Sequence, residues 1–510
     1  MHKAIAAFMG LILASSVWAA TAIVQGRVAH EPGASITLLK LDDGISGKRT
    51  VLARTQADDY GNFFMEVEVN TVTTAFLHVN GVVSTLYLAP DGGYNVTVPT
   101  IERKDPRTFN HMKVDLEFDR GNAQNINLQV AGFNRQYEFF FKEFLPDLVE
   151  ARYAGSSSYV RSNRERLSSV NLLPTEQDSV GGGENQDFLM RIDNFKVIQA
   201  KTLAEERSNP WMADYIDYAL ATTEVSAGRS KQEIYARYFE GRPVQWDHPE
   251  YITALDQLYQ GWLQAALDND SLPALYTAVM RDRDAVLLDE ACAVLPMLKD
   301  PEVRSAALLT NLKQLYYHGR RDKRIPLRIL EDMAAHPEYF GRASAVAEHL
   351  VKRMTFGKIG TSAPEFVYRN VQGDMVELSS FEGRFVYVQV FSKWCRNCET
   401  QMEVMRPFYR KYQRDAEIIS ISMDPDFQTF TNFYDDHDFD WMFGYGPADA
   451  TFQDNFQLTS IPQYFIIDPE GNWAAAHVGA PDEGGLGEVE RLIVKWRNDH
   501  QGRTKPHMGR

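Results

Sequence analysis

Two cysteines separated by two residues, Cys395-Arg396-Asn397-Cys398, follow closely on the apolar run Phe385-Val386-Tyr387-Val388-Gln389-Val390-Phe391. The run reads as a buried strand. If a helix begins at Cys395, Cys398 lies one turn further on, within reach of a disulfide. The free N–H groups and positive dipole end of a first helical turn stabilise a thiolate, the form of cysteine that attacks disulfides. Cys395 is therefore the expected nucleophile and Cys398, screened by the turn, the expected resolving thiol. A free thiol has a pKa of roughly 8.5, and such a setting lowers it to about 3.5–7.5. Lys393 and Arg396 push the same way and Glu399 opposes them.

A cysteine pair is also half of a zinc site. Zinc needs two more Cys or His ligands at short spacing, and the nearest histidines, His437 and His477, stand alone. No metal is expected, and no cofactor beyond a redox-active Cys395–Cys398 disulfide. Downstream, Ser460-Ile461-Pro462 precedes the apolar run Tyr464-Phe465-Ile466-Ile467 and the turn Asp468-Pro469-Glu470-Gly471-Asn472. A proline at a strand start suits a cis peptide that faces the cysteines and offers backbone groups to an extended partner; an ordinary trans proline is the alternative.

On these motifs, residues from about 360 to 500 resemble a thioredoxin-like domain of the TlpA/ResA type, the extracytoplasmic thiol–disulfide oxidoreductases. The resemblance rests on Ala363-Pro364-Glu365-Phe366, the hairpin around Gln372-Gly373-Asp374, Leu378 to Gly383, Trp394-Cys395-Arg396-Asn397-Cys398 and Ile461-Pro462. It covers less than a third of the chain. It implies catalytic Cys395 and Cys398, supported by Trp394, Arg396, Asn397, Ile461 and Pro462, with disulfide-containing exported proteins as partners and a membrane electron donor. The chain departs from the family where a Glu and a Pro commonly follow the second cysteine: those positions hold Gln401 and Glu403. The upstream Asp or Asn position is Gln389. Neither Gln389 nor Gln401 offers the carboxylate that would take a proton off Cys398, and Glu399 and Glu403 are expected at the helix surface. Proton transfer is then expected through water, with Glu399 or Glu403 turned inward as the alternative. Ser392-x-x-Cys395 also fits part of the peroxiredoxin pattern, but Val388 stands where that pattern has proline.

The elements that must carry this site belong to a chain of 510 residues, long enough for two to four domains. The net charge of −16 disfavours a nucleic acid or an anionic membrane surface as partner. Residues 1–22 read as an export signal: Lys3, the apolar stretch Ala4 to Ala14, and a small-residue cleavage site at Val17-Trp18-Ala19 or Ala20-Thr21-Ala22. A periplasmic or otherwise extracytoplasmic location follows, with an N-terminal membrane anchor as the alternative. No later segment is apolar enough to span a membrane.

The expected architecture is multidomain. A β-sandwich over 23–118 is read from strands at Ile23–Val28, Ala34–Leu39 and Phe63–Val69 with turns at Asp59-Tyr60-Gly61-Asn62 and Asp91-Gly92-Gly93. An all-α domain over 119–355 is read from stripes such as Phe133, Tyr137, Phe140, Phe141, Phe144 and Leu145, and from helix starts at Asn209-Pro210, His248-Pro249 and Asp300-Pro301. Within it, Gly155 to Asn185 reads as a mobile loop. The α/β thioredoxin fold takes 356–500, with a strand over Glu417–Ser422, a helix over Thr429–Tyr434 and a kink at Pro407, and 501–510 is a frayed basic tail. Cys292, among apolar helical residues, reads as a buried inert thiol, with a third redox partner as the alternative. The N-terminal regions are expected to hold a substrate or partner. The resemblance favours a reductase of disulfides, with a disulfide oxidase or isomerase as an alternative. In a further reading the N-terminal regions are the functional part, a partner-binding module of the cell envelope in which the redox domain is secondary.

Overall fold

The computed structural model describes residues 20–29, 33–79, 82–99, 112–119, 125–144, 182–269, 272–424, 426–458 and 460–501. The expected leader up to residue 19, the loop up to 181 and the tail from 502 lie outside the described residues.

The first strands alternate apolar and polar residues, so each buries one face. In β4 (Asn62–Glu68), Phe63, Met65 and Val67 point inward; in β7 (Gly93–Val98), Tyr94, Val96 and Val98 do. With β1 (Thr21–Val28) and β9 (Glu117–Phe118) they form one sheet, in the order β4-β1-β7-β9. A second sheet runs β3-β2-β5-β6-β8, from β2 (Ser35–Leu41), β3 (Arg49–Gln56), β5 (Thr73–Val79), β6 (Val82–Leu88) and β8 (Met112–Lys113). Both sheets contribute to one core, where Val24, Met65 and Val96 meet Ile36, Leu77 and Leu86. Burying each such side chain is worth about 1.5–3 kcal/mol. Thr21 and Ala22, assigned from the sequence to the end of the leader, stand in β1, and Ala22 is fully buried. The turn into β4 needs glycine: Gly61 has φ +82°, and a Cβ there would lie 2.4 Å from the Val28 carbonyl oxygen.

The middle region is helical: α1 (Ile126–Phe144), α2 (Gly182–Thr202), α3 (Pro210–Ser226), α4 (Lys231–Tyr238), α5 (Pro249–Tyr259), α6 (Trp262–Asp268), α7 (Ala285–Ala293), α8 (Pro301–His318), α9 (Arg324–Ala335) and α10 (Arg342–Met354). The end of the expected loop, from Gly182 to Asn185, is helical instead, because α2 begins at Gly182. The three expected starts are capped as read: Asn209 accepts from the Trp211 and Met212 N–H groups, His248 from Tyr251 and Asp300 from Val303. Each is followed by proline at the first helical position.

His248 caps α5 from inside the protein, 2% exposed. Its Nδ1 accepts the Tyr251 N–H at 3.2 Å, Nε2 faces the Trp211 carbonyl at 3.5 Å, and the Trp211 ring lies 4.7 Å away. Burial pushes the imidazole down to about 4, against the weaker upward pull of the Trp211 carbonyl. The unfolded chain takes up this proton near its ordinary value of roughly 6.5, and the folded chain does so only near 4. The neutral cap's stabilisation is therefore complete above pH ~6.5 and is lost as pH falls toward about 4, by on the order of 3 kcal/mol. His248→Asn keeps a capping oxygen without the titration. Urea midpoints of the two proteins at neutral pH and near pH 4.5 should diverge at the acid end, with the parent falling further; equal falls would sink the assignment.

The loop between β2 and β3 enters the helical core. Ile45 is buried there, Lys313 Nζ donates to its carbonyl at 2.8 Å, and Gly44 N–H donates to the Trp246 carbonyl at 2.7 Å. Arg353 on α10 reaches the Ser46 carbonyl at 3.2 Å. The strand-rich and helical regions are thus packed as one unit through this loop.

The C-terminal region holds a seven-stranded sheet in the order β11-β10-β14-β13-β12-β15-β16. Its strands are β10 (Val367–Asn370), β11 (Met375–Glu377), β12 (Phe385–Phe391), β13 (Ala416–Ser422), β14 (Met442–Tyr445), β15 (Gln463–Ile467) and β16 (Trp473–Ala475). Every residue of β12 and β13 is buried, because both faces are covered; β12 is apolar apart from Gln389, and β13 carries Glu417, Ser420 and Ser422 among its apolar residues. β12 runs parallel to β13 and antiparallel to β15. Phe385, Tyr387 and Phe391 pack with α11 (Arg396–Tyr412), α12 (Phe427–Asp435) and α13 (Gly485–Gln501). Val386, Val388 and Val390 face Phe366, Phe452, Phe456 and Trp473 on the other side. Pro407 lies inside α11, which continues through it to Tyr412.

The segment 357–362, which follows α10, hydrogen-bonds to β16: Gly360 N–H donates to the Trp473 carbonyl at 2.8 Å and Trp473 N–H to the Thr361 carbonyl. Two further ties reach the segment before Pro462: Arg49 pairs with Asp454 at 3.4 Å, and Gln457 Nε2 donates to the Arg353 carbonyl at 3.1 Å.

Candidate active site

Cys395 and Cys398 are joined by a disulfide, Cα to Cα 5.3 Å. Cys395 is the N-cap of α11, and the Cys398 N–H donates to its Sγ at 3.2 Å, the place where a capping side chain takes a free amide. A thiolate at that sulfur would receive the same N–H and the positive end of the helix dipole. Cys395 is 7% exposed and Cys398 fully buried, so of the two only Cys395 is reachable from solvent. Arg396 and Asn397 are exposed, and Trp394 is half-buried against the core of the same face.

The Ile461–Pro462 peptide is cis. β15 starts at Gln463 and pairs antiparallel with β12 at Val390, which sets Pro462 at the end of β12 that leads into the cysteines. Ile461 packs into the cores on both faces of the sheet. Sequence positions some 65 residues apart therefore converge at one end of the inner strands β12 and β15.

The residues weighed for proton transfer divide into buried and exposed. Gln389 is fully buried; its Nε2 donates to the Cys398 carbonyl at 3.3 Å, and its Oε1 accepts from Ser420, whose hydroxyl also takes the Trp441 Nε1–H. Gln401 is buried and accepts the Asp482 N–H at 3.2 Å. Glu399 and Glu403 turn outward. Glu399 meets His437 Nε2 at 3.1 Å, and Glu403 pairs with Arg406 at 3.1 Å. Burial opposes the charge on His437, but the Phe433 carbonyl and the Glu399 carboxylate outweigh it and hold the imidazolium above its usual range. The inward carboxylate therefore comes from neither glutamate, because each finds its partner at the surface.

Sequence reasoning passed over Asp424, Trp441 and Asp482, and read Ser392 only against the peroxiredoxin pattern and His437 only as a metal ligand. The available signal was Ser422-Met423-Asp424, polar residues closing an apolar strand at the end where the cysteines must lie. Cys292 belongs to the helical core, fully buried; burial, with Asp289 adding to it, pushes its thiol up to about 12, which leaves it protonated and apart from the pair. Among the described residues no group of three or more His, Cys, Asp or Glu side chains is placed to hold a metal.

This sheet, with a disulfide-bonded pair at the start of the helix after its central strand, defines a thioredoxin-like domain in the C-terminal region. Residues 359–475 match the AhpC/TSA family. The same region resembles the thiol-disulfide oxidoreductase ResA of Bacillus thuringiensis subsp. konkukian, 29% identical over 115 residues, which is 22% of this chain and 66% of that protein. ResA of Bacillus subtilis is 25% identical over 142 residues, 26% of this chain and 75% of the relative. Similar solved structures include a thiol-disulfide oxidoreductase from Bacteroides fragilis, at 17% identity and TM-score 0.24, covering 26% of this chain and 99% of that one. Another is the thioredoxin domain of a Bacteroides vulgatus thiol-disulfide oxidoreductase, at 20% identity and TM-score 0.25, covering 26% and 97%. The match thus spans just under two thirds of the length of the ResA protein from B. thuringiensis.

Proposed function

We propose that the protein is an exported, periplasmic thiol–disulfide oxidoreductase that reduces disulfides in extracytoplasmic proteins. The observation that carries this reading is Cys395 at the helix cap, its sulfur accepting the Cys398 N–H, with the second sulfur buried one turn behind it. In the reduced form the Cys395 thiolate attacks one sulfur of a partner's disulfide, and the other sulfur leaves as a thiolate. Cys398 then loses its proton and attacks Cys395 Sγ, which releases the partner's second thiol and leaves the Cys395–Cys398 disulfide. Two electrons have passed to the partner, and a membrane donor must return them. Trp394, Arg396 and Asn397 border the pair, and the Ile461-Pro462 backbone lines the end of the sheet where an extended partner would lie. The strand-rich and helical regions select the partner; the absence of a membrane-spanning helix among the described residues is compatible with export after leader cleavage.

The deciding measurement is the equilibrium potential of the pair, titrated against glutathione or dithiothreitol. A value near about −270 mV or below is expected of a reductase. A value near roughly −120 mV would make the protein a disulfide-forming oxidant. Absence of any reversible two-electron couple would remove the redox reading and leave partner binding by the N-terminal regions in its place.

A further inference from the structure

We propose that Asp424 is a positioning residue of the redox site: it clamps the turn that carries Cys395 and keeps the pair reducing. The inference rests on the thiol-exchange reading above and adds a residue to it. Asp424 is 1% exposed and lies just past the end of β13, where Ser422 is paired with Phe391 at the end of β12. One carboxylate oxygen accepts the Ser392 hydroxyl and the Lys393 N–H (3.0 Å), and the other accepts the Ser422 hydroxyl at 2.7 Å and the same N–H at 3.1 Å. Its own N–H donates to Ser422 Oγ at 3.1 Å. The carboxylate meets only donors, the environment an ionised acid requires.

Two consequences follow from position. Ser392 and Lys393 open the turn between β12 and α11, and the Ser392 carbonyl accepts the Cys395 N–H at 2.9 Å. The carboxylate therefore holds the nucleophile through one intervening residue. Fixing that turn fixes where Cys395 Sγ stands against Pro462, and exchange needs the attacking and leaving sulfurs in line. The second consequence is electrostatic. No Lys, Arg or His forms an ion pair with Asp424 among the described residues, so its charge is balanced by neutral dipoles alone. A net negative charge beside the start of α11 opposes a second one on Cys395. Disfavouring the thiolate disfavours the reduced pair, which lowers the potential and makes the pair the better electron donor. Lys393, Arg396 and Glu399 are further charged side chains near that helix start, all exposed to screening by solvent, and Glu399 is paired with the half-buried His437.

The test uses the full mature chain and two variants. Asp424→Asn keeps an acceptor for the Lys393 N–H and removes the charge. Ser392→Ala removes one link of the clamp and leaves the charge in place. For Asp424→Asn the Cys395 pKa, read by thiolate absorbance, is expected to fall by roughly one unit, with the potential moving to a more oxidising value. For Ser392→Ala the exchange rate is expected to drop several-fold with the pKa unmoved. A purely structural Asp424 would change thermal stability without moving the pKa or the potential, and that result overturns the proposal. So does an Asp424→Asn variant that matches the parent in pKa, potential and rate. If the parent itself shows no reversible couple, the fault lies with the thiol-exchange reading.

Discussion

Replacing Cys395 with serine is expected to reduce thiol–disulfide exchange to the uncatalysed background, the largest effect any single substitution should have on this protein's chemistry. Of the pair only Cys395 is reachable from solvent, and it alone caps the helix and accepts a backbone N–H. A serine hydroxyl there still caps α11, so the fold should survive while the nucleophile is lost. The Cys398→Ser variant should behave differently. Attack by Cys395 continues, but no second thiol resolves the product, and mixed disulfides with partner proteins accumulate. Reduction of a disulfide-bonded test protein, followed by thiol labelling, reads the first effect; non-reducing electrophoresis reads the second. Residual exchange in Cys395→Ser at a tenth of the parent rate or more would assign the chemistry elsewhere. Removal of residues 20–354 from the same protein separates the two roles: exchange with a small disulfide should persist, and selectivity among protein partners should be lost.

The second large effect lies far from the cysteines, in the helical region. Asp289→Ala is expected to lower that region's stability by about 3–5 kcal/mol. Arg304 Nε and Nη2 meet the two Asp289 carboxylate oxygens at 2.8 and 2.7 Å, a bidentate pair with side chains 8% and 2% exposed. The third nitrogen, Nη1, donates to the Leu298 and Lys299 carbonyls at 2.8 and 3.0 Å, and the Tyr339 hydroxyl donates to Asp289 at 3.1 Å. Burial works against the guanidinium charge, and Asp289 more than offsets it, so the Arg304 pKa stays above its ordinary value. Deleting the carboxylate strands a cation in the core and removes an acceptor from Tyr339. Chemical denaturation followed by the tryptophans of this region should show the loss; an unchanged midpoint would mean water reaches Arg304 as soon as its partner goes. Replacing both partners together, Asp289→Leu with Arg304→Met, should recover most of it, because the charge that is costly to bury has gone too.

Much of this molecule follows from local pattern. A seven-residue run that is apolar apart from Gln389, followed after three intervening residues by a cysteine pair, reads as a buried strand and a helix start whatever surrounds it. Proline after Asn209, His248 and Asp300 marks helix starts by the same local logic, because proline fixes φ and needs no hydrogen-bond acceptor there. The strands β3, β5 and β6 were harder to read. Arg49–Gln56 carries two arginines and has no fully buried residue, and Thr73–Val79 and Val82–Leu88 break strict alternation because neighbouring elements cover parts of both faces. Periodicity reports burial, and burial on two faces is decided by what packs there.

The candidate site divides in the same way. The Cys395–Cys398 disulfide, the helix cap and the cis Ile461–Pro462 peptide were legible because each depends on residue type and local sequence. The partners of Glu399, Gln389 and Asp424 were not, since each is contributed by a different strand or loop of the sheet: His437 after α12, Ser420 on β13, Ser392 after β12. A glutamate on a helix faces water or a core according to the helix's rotation against its sheet, and a buried aspartate is recognised only when its donors are assembled around it. The sequence by itself determined the disulfide-bonded pair and the helix it caps, because those are properties of a few adjacent residues. Only the tertiary structure decided which carboxylate stands near the nucleophile, because hydrogen bonds and charges act over ångströms in space and take no account of distance along the chain.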